Sequence, residues 1–140
     1  MNIKRAFLAS IYTYFAALVI GVIAAFIFQN NLSQTGISTP MFLVGILAPV
    51  VCIWIFATWY FRGHVAQGRI QGLLLGLCVV LISFILDILT VLPTAGGNLD
   101  NTVVLLTDYY TQIVFWVTTL IVIGVCVAIG GNIRSKHIKE

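Results

Sequence analysis

Asp87 is the residue whose type and setting point most directly to chemistry. It lies inside an apolar stretch that runs from Ile70 to Leu92, and the other charged residues lie outside the apolar stretches. At the helical spacing of about 100° per residue, Ser83, Asp87 and Thr90 share one side of a helix. A carboxyl group inside a membrane span is a candidate for function, since burying it there is costly. The sequence therefore predicts an intramembrane polar site at these three residues.

Three interpretations of Asp87 stay open from the sequence. The side chain is a neutral carboxylic acid that hydrogen-bonds to Ser83, to Thr90 or to nearby Tyr and Gln side chains. Alternatively, it lies in a water-filled cleft, or it binds a proton or cation during transport. All seven Lys and Arg residues lie toward the opposite ends of the predicted helices, so none of them is expected to pair with it.

The remaining reactive side chains form no catalytic or metal-binding pattern. Cys52, Cys78 and Cys126 lie in three different apolar stretches, whereas a thiol oxidoreductase needs paired and accessible thiols. His64 and His137 lie in short basic segments, and the sequence offers no cluster of several ligands around either of them. We therefore expect no metal ion, no cofactor and no enzymatic activity.

The elements that must position Asp87 are long apolar helices. Hydrophobic residues make up 61% of the 140 residues and charged residues 8%, whereas soluble domains carry about 25% charged residues. Each apolar stretch approaches the length of about 20 residues that spans a bilayer as a helix. The predicted spans are about 6–28, 40–61, 70–92 and 111–130. The predicted fold class is all-α, an integral-membrane four-helix bundle in one domain covering residues 1–140.

The basic residues predict how this bundle is oriented. They precede helix 1, flank the link between helices 2 and 3, and follow helix 4. The other two loops, at about 29–39 and 93–111, contain no Lys or Arg. By the positive-inside rule, both termini are expected in the cytoplasm, and a bacterial inner membrane is the expected location. The net charge of +3 follows from this arrangement and does not require a nucleic-acid partner.

Two stripes of small residues predict where helices approach closely. Small side chains let membrane helices pack with short separations, as in a glycine zipper. The stripes comprise Gly68, Gly72 and Gly76 on helix 3, and Ala17, Gly21 and Ala25 on helix 1. We expect helix 3 to use its stripe against helix 1 or against a second copy of itself in a dimer.

Two further features affect the helix geometry. Pro49 falls inside helix 2 and removes the hydrogen bond to the carbonyl of Gly45, so a kink is predicted there. The segment 100–110 either extends helix 4 outward or lies in the membrane interface. The extension is preferred, because Asp100 and Thr102 bound a segment of N-cap residues.

Three short motifs in helices 2 and 3 carry a resemblance to known proteins. They are Tyr60-Phe61-Arg62, Gln71-Gly72-Leu73-Leu74-Leu75-Gly76-Leu77 and Leu86-Asp87. This arrangement resembles small four-helix membrane proteins of bacteria, which implies a four-helix membrane fold without an assigned activity. Small multidrug transporters differ, since they carry a Glu in helix 1 that this sequence lacks.

Two functions are consistent with the sequence. The first, which is preferred from the sequence, is a non-enzymatic accessory or structural membrane component that acts through helix packing, with the lipid bilayer and a second copy or another membrane protein as partners. The alternative is a small oligomeric transporter or channel in which Asp87 is the proton or cation site and Pro49 a point of flexing. The substrate and the oligomeric state do not follow from the sequence.

Overall fold

The computed structural model describes residues 2–28, 39–62, 68–94 and 96–137. All secondary structure in these ranges is helical. The helices are α1 Ile3–Phe28, α2 Thr39–Phe61, α3 Arg69–Thr94, α4 Leu99–Tyr110 and α5 Ile113–His137. The loop predicted at 29–39 lies almost wholly outside the described residues, as does most of the link between α2 and α3.

Four of the five described helices have the length and composition of membrane spans. These candidate spans are Ile3–Ile27, Leu43–Phe61, Arg69–Pro93 and Phe115–Asn132. Large apolar side chains such as Phe26, Trp54 and Leu120 are exposed around the outside of the bundle. A surface of this kind suits hydrocarbon, because contiguous apolar patches of this extent are rare on soluble monomers.

The four long helices form a ring in which neighbours along the chain are not always neighbours in space. Helix α1 packs against α2 and α3, and α5 packs against the same two helices. Consecutive helices α2 and α3 therefore stand at opposite corners of the ring. The short helix α4 packs mainly on α3 and also contacts α5.

The two ends of the bundle differ in charge. At one end, the guanidinium of Arg5 donates from Nη2 to the backbone carbonyl of Trp59 at 2.6 Å and lies 4.4 Å from the centre of the Trp59 ring. Arg69 belongs to the same end, where its side chain approaches Gly131. We call this the basic end. The opposite end, where α3 runs into α4, contains Asp100 and Asp108 and is called the acidic end.

The half of the bundle toward the basic end, called the packed half, contains the hydrophobic core. Its side chains come from α1, α2, α3 and α5, so all four long helices meet there. Most of the members are fully buried. They are Ala6, Ala9, Ile53, Ala57, Tyr60, Phe61, Leu75, Val79, Val122 and Cys126.

The glycine stripe of α3 packs against α5. A Cβ atom added at Gly72 would lie 2.7 Å from the Cα of Val127, and one at Gly76 would lie 3.1 Å from the Cα of Ile123. Gly130 of α5 approaches the carbonyl oxygen of Gly68, to which an added Cβ would come within 2.7 Å. Within this chain the stripe therefore meets α5, and neither α1 nor a second copy is needed to explain it.

The small residues of α1 divide between the two halves of the bundle. Ala6, Ala9 and Ser10 are buried in the packed half. Gly21 and Ala25, farther along the helix, are only half-buried, and a Cβ added at Gly21 would meet nothing within 4 Å. The later part of the predicted α1 stripe thus makes no close helix contact at Gly21.

Helix α4 is separate from α5, which differs from the preferred expectation that residues 100–110 extend the last helix. Its N-cap is Asn98, whose side chain accepts a hydrogen bond from the backbone N–H of Asp100 at 2.9 Å. The helix ends at Tyr110, and α5 begins again at Ile113. The expected cap at Asp100 was wrong because Asn98 satisfies the free N–H groups two residues earlier.

Helix α2 continues through Pro49 without interruption of its helical assignment. Proline has no N–H, so the carbonyl of Gly45 loses its usual helical donor. Both residues line the cavity described below. The kink stays a prediction.

Candidate functional site

Asp87 binds two tyrosines from two other helices. The hydroxyl of Tyr14 on α1 donates to Oδ1 of Asp87 at 2.9 Å, and the hydroxyl of Tyr110 on α4 donates to Oδ2 at 2.9 Å. Both carboxyl oxygens therefore accept a hydrogen bond from a neutral phenol. The contact joins α1, α3 and α4 at one point.

Thr90 is the second member of this cluster. Its Oγ1 lies 3.0 Å from the hydroxyl of Tyr14 and 2.9 Å from the backbone carbonyl oxygen of Leu86. Thr90 follows Asp87 by three positions, which places both on one side of α3. Together the two residues hold the Tyr14 hydroxyl between them.

Tyr110 is positioned by the way α4 ends. The indole Nε1 of Trp116, in the first turn of α5, donates to the backbone carbonyl of Tyr110 at 2.9 Å. Earlier in α4, Thr102 and Leu106 are buried. These contacts fix α4 so that its last residue reaches Asp87.

A cavity of about 880 Å³ lies beside the cluster, and we call the half of the bundle that contains it the open half. Val79 and Val122 belong both to the cavity wall and to the hydrophobic core, so they form its floor. Residues from all five helices line the cavity. Besides the residues already named, the lining includes Thr13, Ala17, Gly21, Val44, Ala48, Pro49, Ser83, Asp87, Tyr109, Gln112 and Thr118.

One wall of the cavity consists of packed aromatic rings. The ring centres of Phe84 and Tyr110 are 5.3 Å apart, and those of Tyr110 and Phe115 are 4.6 Å apart. Phe115 also packs edge-on against Trp116 at 5.4 Å. Since Tyr110 also donates to Asp87, this wall is continuous with the carboxyl group.

The polar groups among the described lining residues of the cavity are acidic or neutral, and none is basic. Among the described residues that line it, Asp87 is the only one of a charged type. Burial, the hydrogen bond to Asp87 and the nearby carboxylate together raise the pKa of Tyr110, so this phenol stays neutral at physiological pH. The buried Oγ1 of Thr118 has no hydrogen-bond partner among the described residues.

The other reactive side chains lie apart from this site. Cys52, Cys78 and Cys126 are free thiols, and none of them lines the cavity. Within the described ranges, no three His, Cys, Asp or Glu side chains come together as metal ligands. His64 lies outside the described residues. The chemistry that the described residues offer is therefore that of one carboxyl group, its hydroxyl neighbours and an apolar wall.

The structure brings together several residues singled out from the sequence. Asp87 and Thr90 share a hydrogen-bonded cluster, and Ser83 lines the same cavity, as do Ala17 and Pro49. Gly68, Gly72 and Gly76 lie elsewhere, at the contact with α5.

Tyr14 is the site residue that the sequence reasoning missed. Counting about 100° per residue from Ala6, Tyr14 falls between Gly21 and Ala25 on the same side of the helix. A polar aromatic residue on an otherwise small-residue stripe was therefore a usable signal. Tyr110 was anticipated only as one of the Tyr and Gln side chains near the end of helix 3.

Comparison of this chain with models of protein families, with curated proteins and with solved structures finds no match. The resemblance to small four-helix membrane proteins of bacteria stays a prediction. Function is therefore argued from the site.

Proposed function

We propose that this chain is a multi-pass protein of the bacterial inner membrane with both termini in the cytoplasm. The four span-length helices and their apolar outer surface support insertion in a bilayer. The segregation of Arg5, Arg62 and Arg69 from Asp100 and Asp108 supports this orientation, since basic residues favour the cytoplasmic side. Reporter domains fused to each terminus test it, and an active periplasmic reporter at either terminus would contradict it.

We further propose that the protein is a small membrane transporter in which Asp87 is the proton or cation site. The observation that carries this proposal is the carboxyl group of Asp87 held between Tyr14 and Tyr110 at the wall of a cavity of about 880 Å³. An acid on a cavity inside a membrane bundle is typical of ion and proton pathways. The tyrosines orient the carboxyl group, and the cavity gives a ligand access to it.

Transport through this bundle requires a second conformation or a second copy of the chain. The packed half closes the cavity toward the basic end, with Val79 and Val122 as its floor. Pro49 lines the cavity on α2 and weakens the backbone hydrogen bonding of that helix locally. We propose that α2 flexes there and that the working unit is an oligomer.

An accessory or structural role is the weaker proposal. It was motivated by small-residue stripes that could bind a partner helix. The α3 stripe packs against α5 within the chain, so Gly72 and Gly76 no longer call for an external partner. That role also gives no reason for a carboxyl group and a cavity in the same place.

The proposal is tested by flux measurements on protein reconstituted in liposomes. Wild-type protein is expected to carry protons, Na⁺ or K⁺ down an imposed gradient, and Asp87→Asn is expected to reduce this flux about tenfold or more. Asp108→Asn is the matched control, because it neutralises an exposed carboxyl group outside the cavity. Full flux through Asp87→Asn, or no flux through the wild type for any of these ions, would overturn the proposal.

A further inference from the structure

The cavity also indicates which kind of ligand it takes. We infer that it binds an amphipathic monovalent organic cation, with the charged group at Asp87 and the apolar body against the aromatic wall. This inference rests on the proposed transport function and names its cargo.

The volume and lining of the cavity suit a ligand much larger than an inorganic ion. A cavity of about 880 Å³ falls in the range of about 300–1,000 Å³ typical of sites for drug-sized molecules. Such sites combine a mainly apolar lining with a few polar groups that fix orientation. Here valines, alanines, glycines and aromatic residues supply the lining, while Asp87 and Ser83 supply polar groups.

The charge of the ligand follows from Asp87. This residue is the only charged type among the described lining residues, and Arg5 and Arg69 lie at the opposite end of the bundle. A carboxylate in an apolar site is stabilised by a cation that enters with it, whereas an anion would be repelled and a dication left half neutralised. One positive charge therefore matches the site.

The aromatic wall favours an organic cation over a metal ion. The rings of Phe84, Tyr110 and Phe115 pack on one another next to the Asp87 carboxyl group. Aromatic faces attract ammonium-type cations, and their apolar surface binds the hydrocarbon that such cations carry. Ca²⁺ or Mg²⁺ would require several oxygen ligands at short distance, but the described lining residues offer one carboxyl group and neutral polar groups.

The open side of the cavity leaves room for the apolar body. A Cβ added at Gly21 on α1 or at Gly45 on α2 would meet nothing within 4 Å, although both residues line the cavity. A large side chain at Gly21 would therefore enter space that we assign to the ligand.

The test uses two probes of the same shape and opposite charge, tetraphenylphosphonium and tetraphenylborate. Their binding to purified protein in a mild detergent is measured by isothermal titration calorimetry. Tetraphenylphosphonium is expected to bind the wild type about tenfold or more tightly than it binds Asp87→Asn, because the variant lacks the paired charge. Asp108→Asn is expected to bind it like the wild type, and tetraphenylborate is expected to bind wild type and Asp87→Asn equally weakly.

A second variant tests where the apolar body of the ligand lies. Gly21→Leu is expected to weaken tetraphenylphosphonium binding about tenfold through steric overlap with that body. Circular dichroism and gel filtration check that each variant is folded.

Two results would overturn the inference alone. One is Asp87-dependent flux of protons or metal ions without binding of tetraphenylphosphonium, and the other is equal binding of both probes to wild type and Asp87→Asn, as an unspecific apolar cavity would give. If the wild type shows no flux that depends on Asp87, the result would instead overturn the transport function on which the inference rests.

Discussion

The two halves of the bundle are built from similar residues and behave differently. Gly72 in the packed half lies so close to α5 that an added Cβ would come within 2.7 Å of the Cα of Val127, whereas Gly21 in the open half has nothing within 4 Å. Both positions belong to small-residue stripes. The comparison teaches that such a stripe permits close packing, and that the facing helix decides whether it occurs.

The hydroxyl groups of the two halves differ in the same way. In the packed half, Ser10 donates to the carbonyl of Ala6 at 2.8 Å, so its bond stays within one helix. Thr13, at the border of the cavity, bonds in the same way to Ala9 at 2.8 Å. Tyr14 and Tyr110 instead bond between helices, to Asp87. Bonds within a helix leave no polar group at the helix contact, whereas the bonds of Tyr14 and Tyr110 join α1, α3 and α4 beside the cavity.

The largest expected effect is a loss of packing in the packed half. Leu75→Ala should lower the free energy of unfolding by about 2–5 kcal/mol, since Leu75 is fully buried and its truncation leaves a void. Leu89→Ala, on the same helix but 59% exposed, should change it by less than about 0.5 kcal/mol. Unfolding in mixed detergent–SDS micelles measures both. Equal losses would remove the distinction between the two halves.

The glycine contrast predicts the next largest effect. Gly72→Ala should lower the free energy of unfolding by about 1–3 kcal/mol, because its Cβ meets the backbone of α5 and the helices must move apart. Gly21→Ala should leave stability unchanged within about 0.5 kcal/mol. The same micelle assay applies, and a stable Gly72→Ala protein would show that the α3–α5 contact is looser than described.

The hydrogen bonds of the open half are expected to contribute less. Tyr14→Phe and Tyr110→Phe should each lower the free energy of unfolding by about 1 kcal/mol, since each removes one donor to Asp87. Tyr12→Phe on the outside of α1 is the matched control and should have no measurable effect. In the Asp87→Asn background, the loss of stability caused by each Tyr→Phe substitution should differ from its value in the wild-type background, because both tyrosines donate to the Asp87 side chain. Unchanged losses would contradict the shared carboxyl group.

The smallest expected effect is alkaline. The pKa of Tyr110 is raised in the folded protein, so its contribution to stability is complete below the unfolded pKa of about 10 and decreases as the pH rises above it. As the pH rises through 10 the wild type is expected to lose stability from this residue, and Tyr110→Phe is expected not to show that part of the loss. Unfolding measured between pH 8 and 10.5 for both proteins tests the difference, which a normal pKa would abolish.

Much of the helical framework followed from the sequence. Runs of apolar residues predicted four helices, and the structure begins and ends most of them within a few residues of the expected positions. The end of α5 differs most, because the helix continues past Gly130 into the basic segment and reaches His137. Local composition suffices for such features, since a span is defined by its own length and apolarity.

The relations between helices did not follow from the sequence. Gly72 faces α5 and not α1, and α2 and α3 occupy opposite corners although a short link joins them. Asp87 was recognised from its type and depth, but its partner Tyr14 lies 73 positions away along the chain. Contacts between residues so far apart in the sequence depend on which helix faces meet. A stripe of small residues in one helix does not identify the helix that packs against it.

The contact between Tyr14 and Asp87 has a consequence for how the chain is made. Synthesis delivers α1 before α3, so on the proposed membrane insertion the Tyr14 hydroxyl is already at hand when the Asp87 carboxyl group leaves the ribosome. Tyr110 emerges later and completes the pair of donors. We expect α1 to assist the insertion of α3 as an intramolecular chaperone, and α5 to lock the product when Gly130 reaches Gly68.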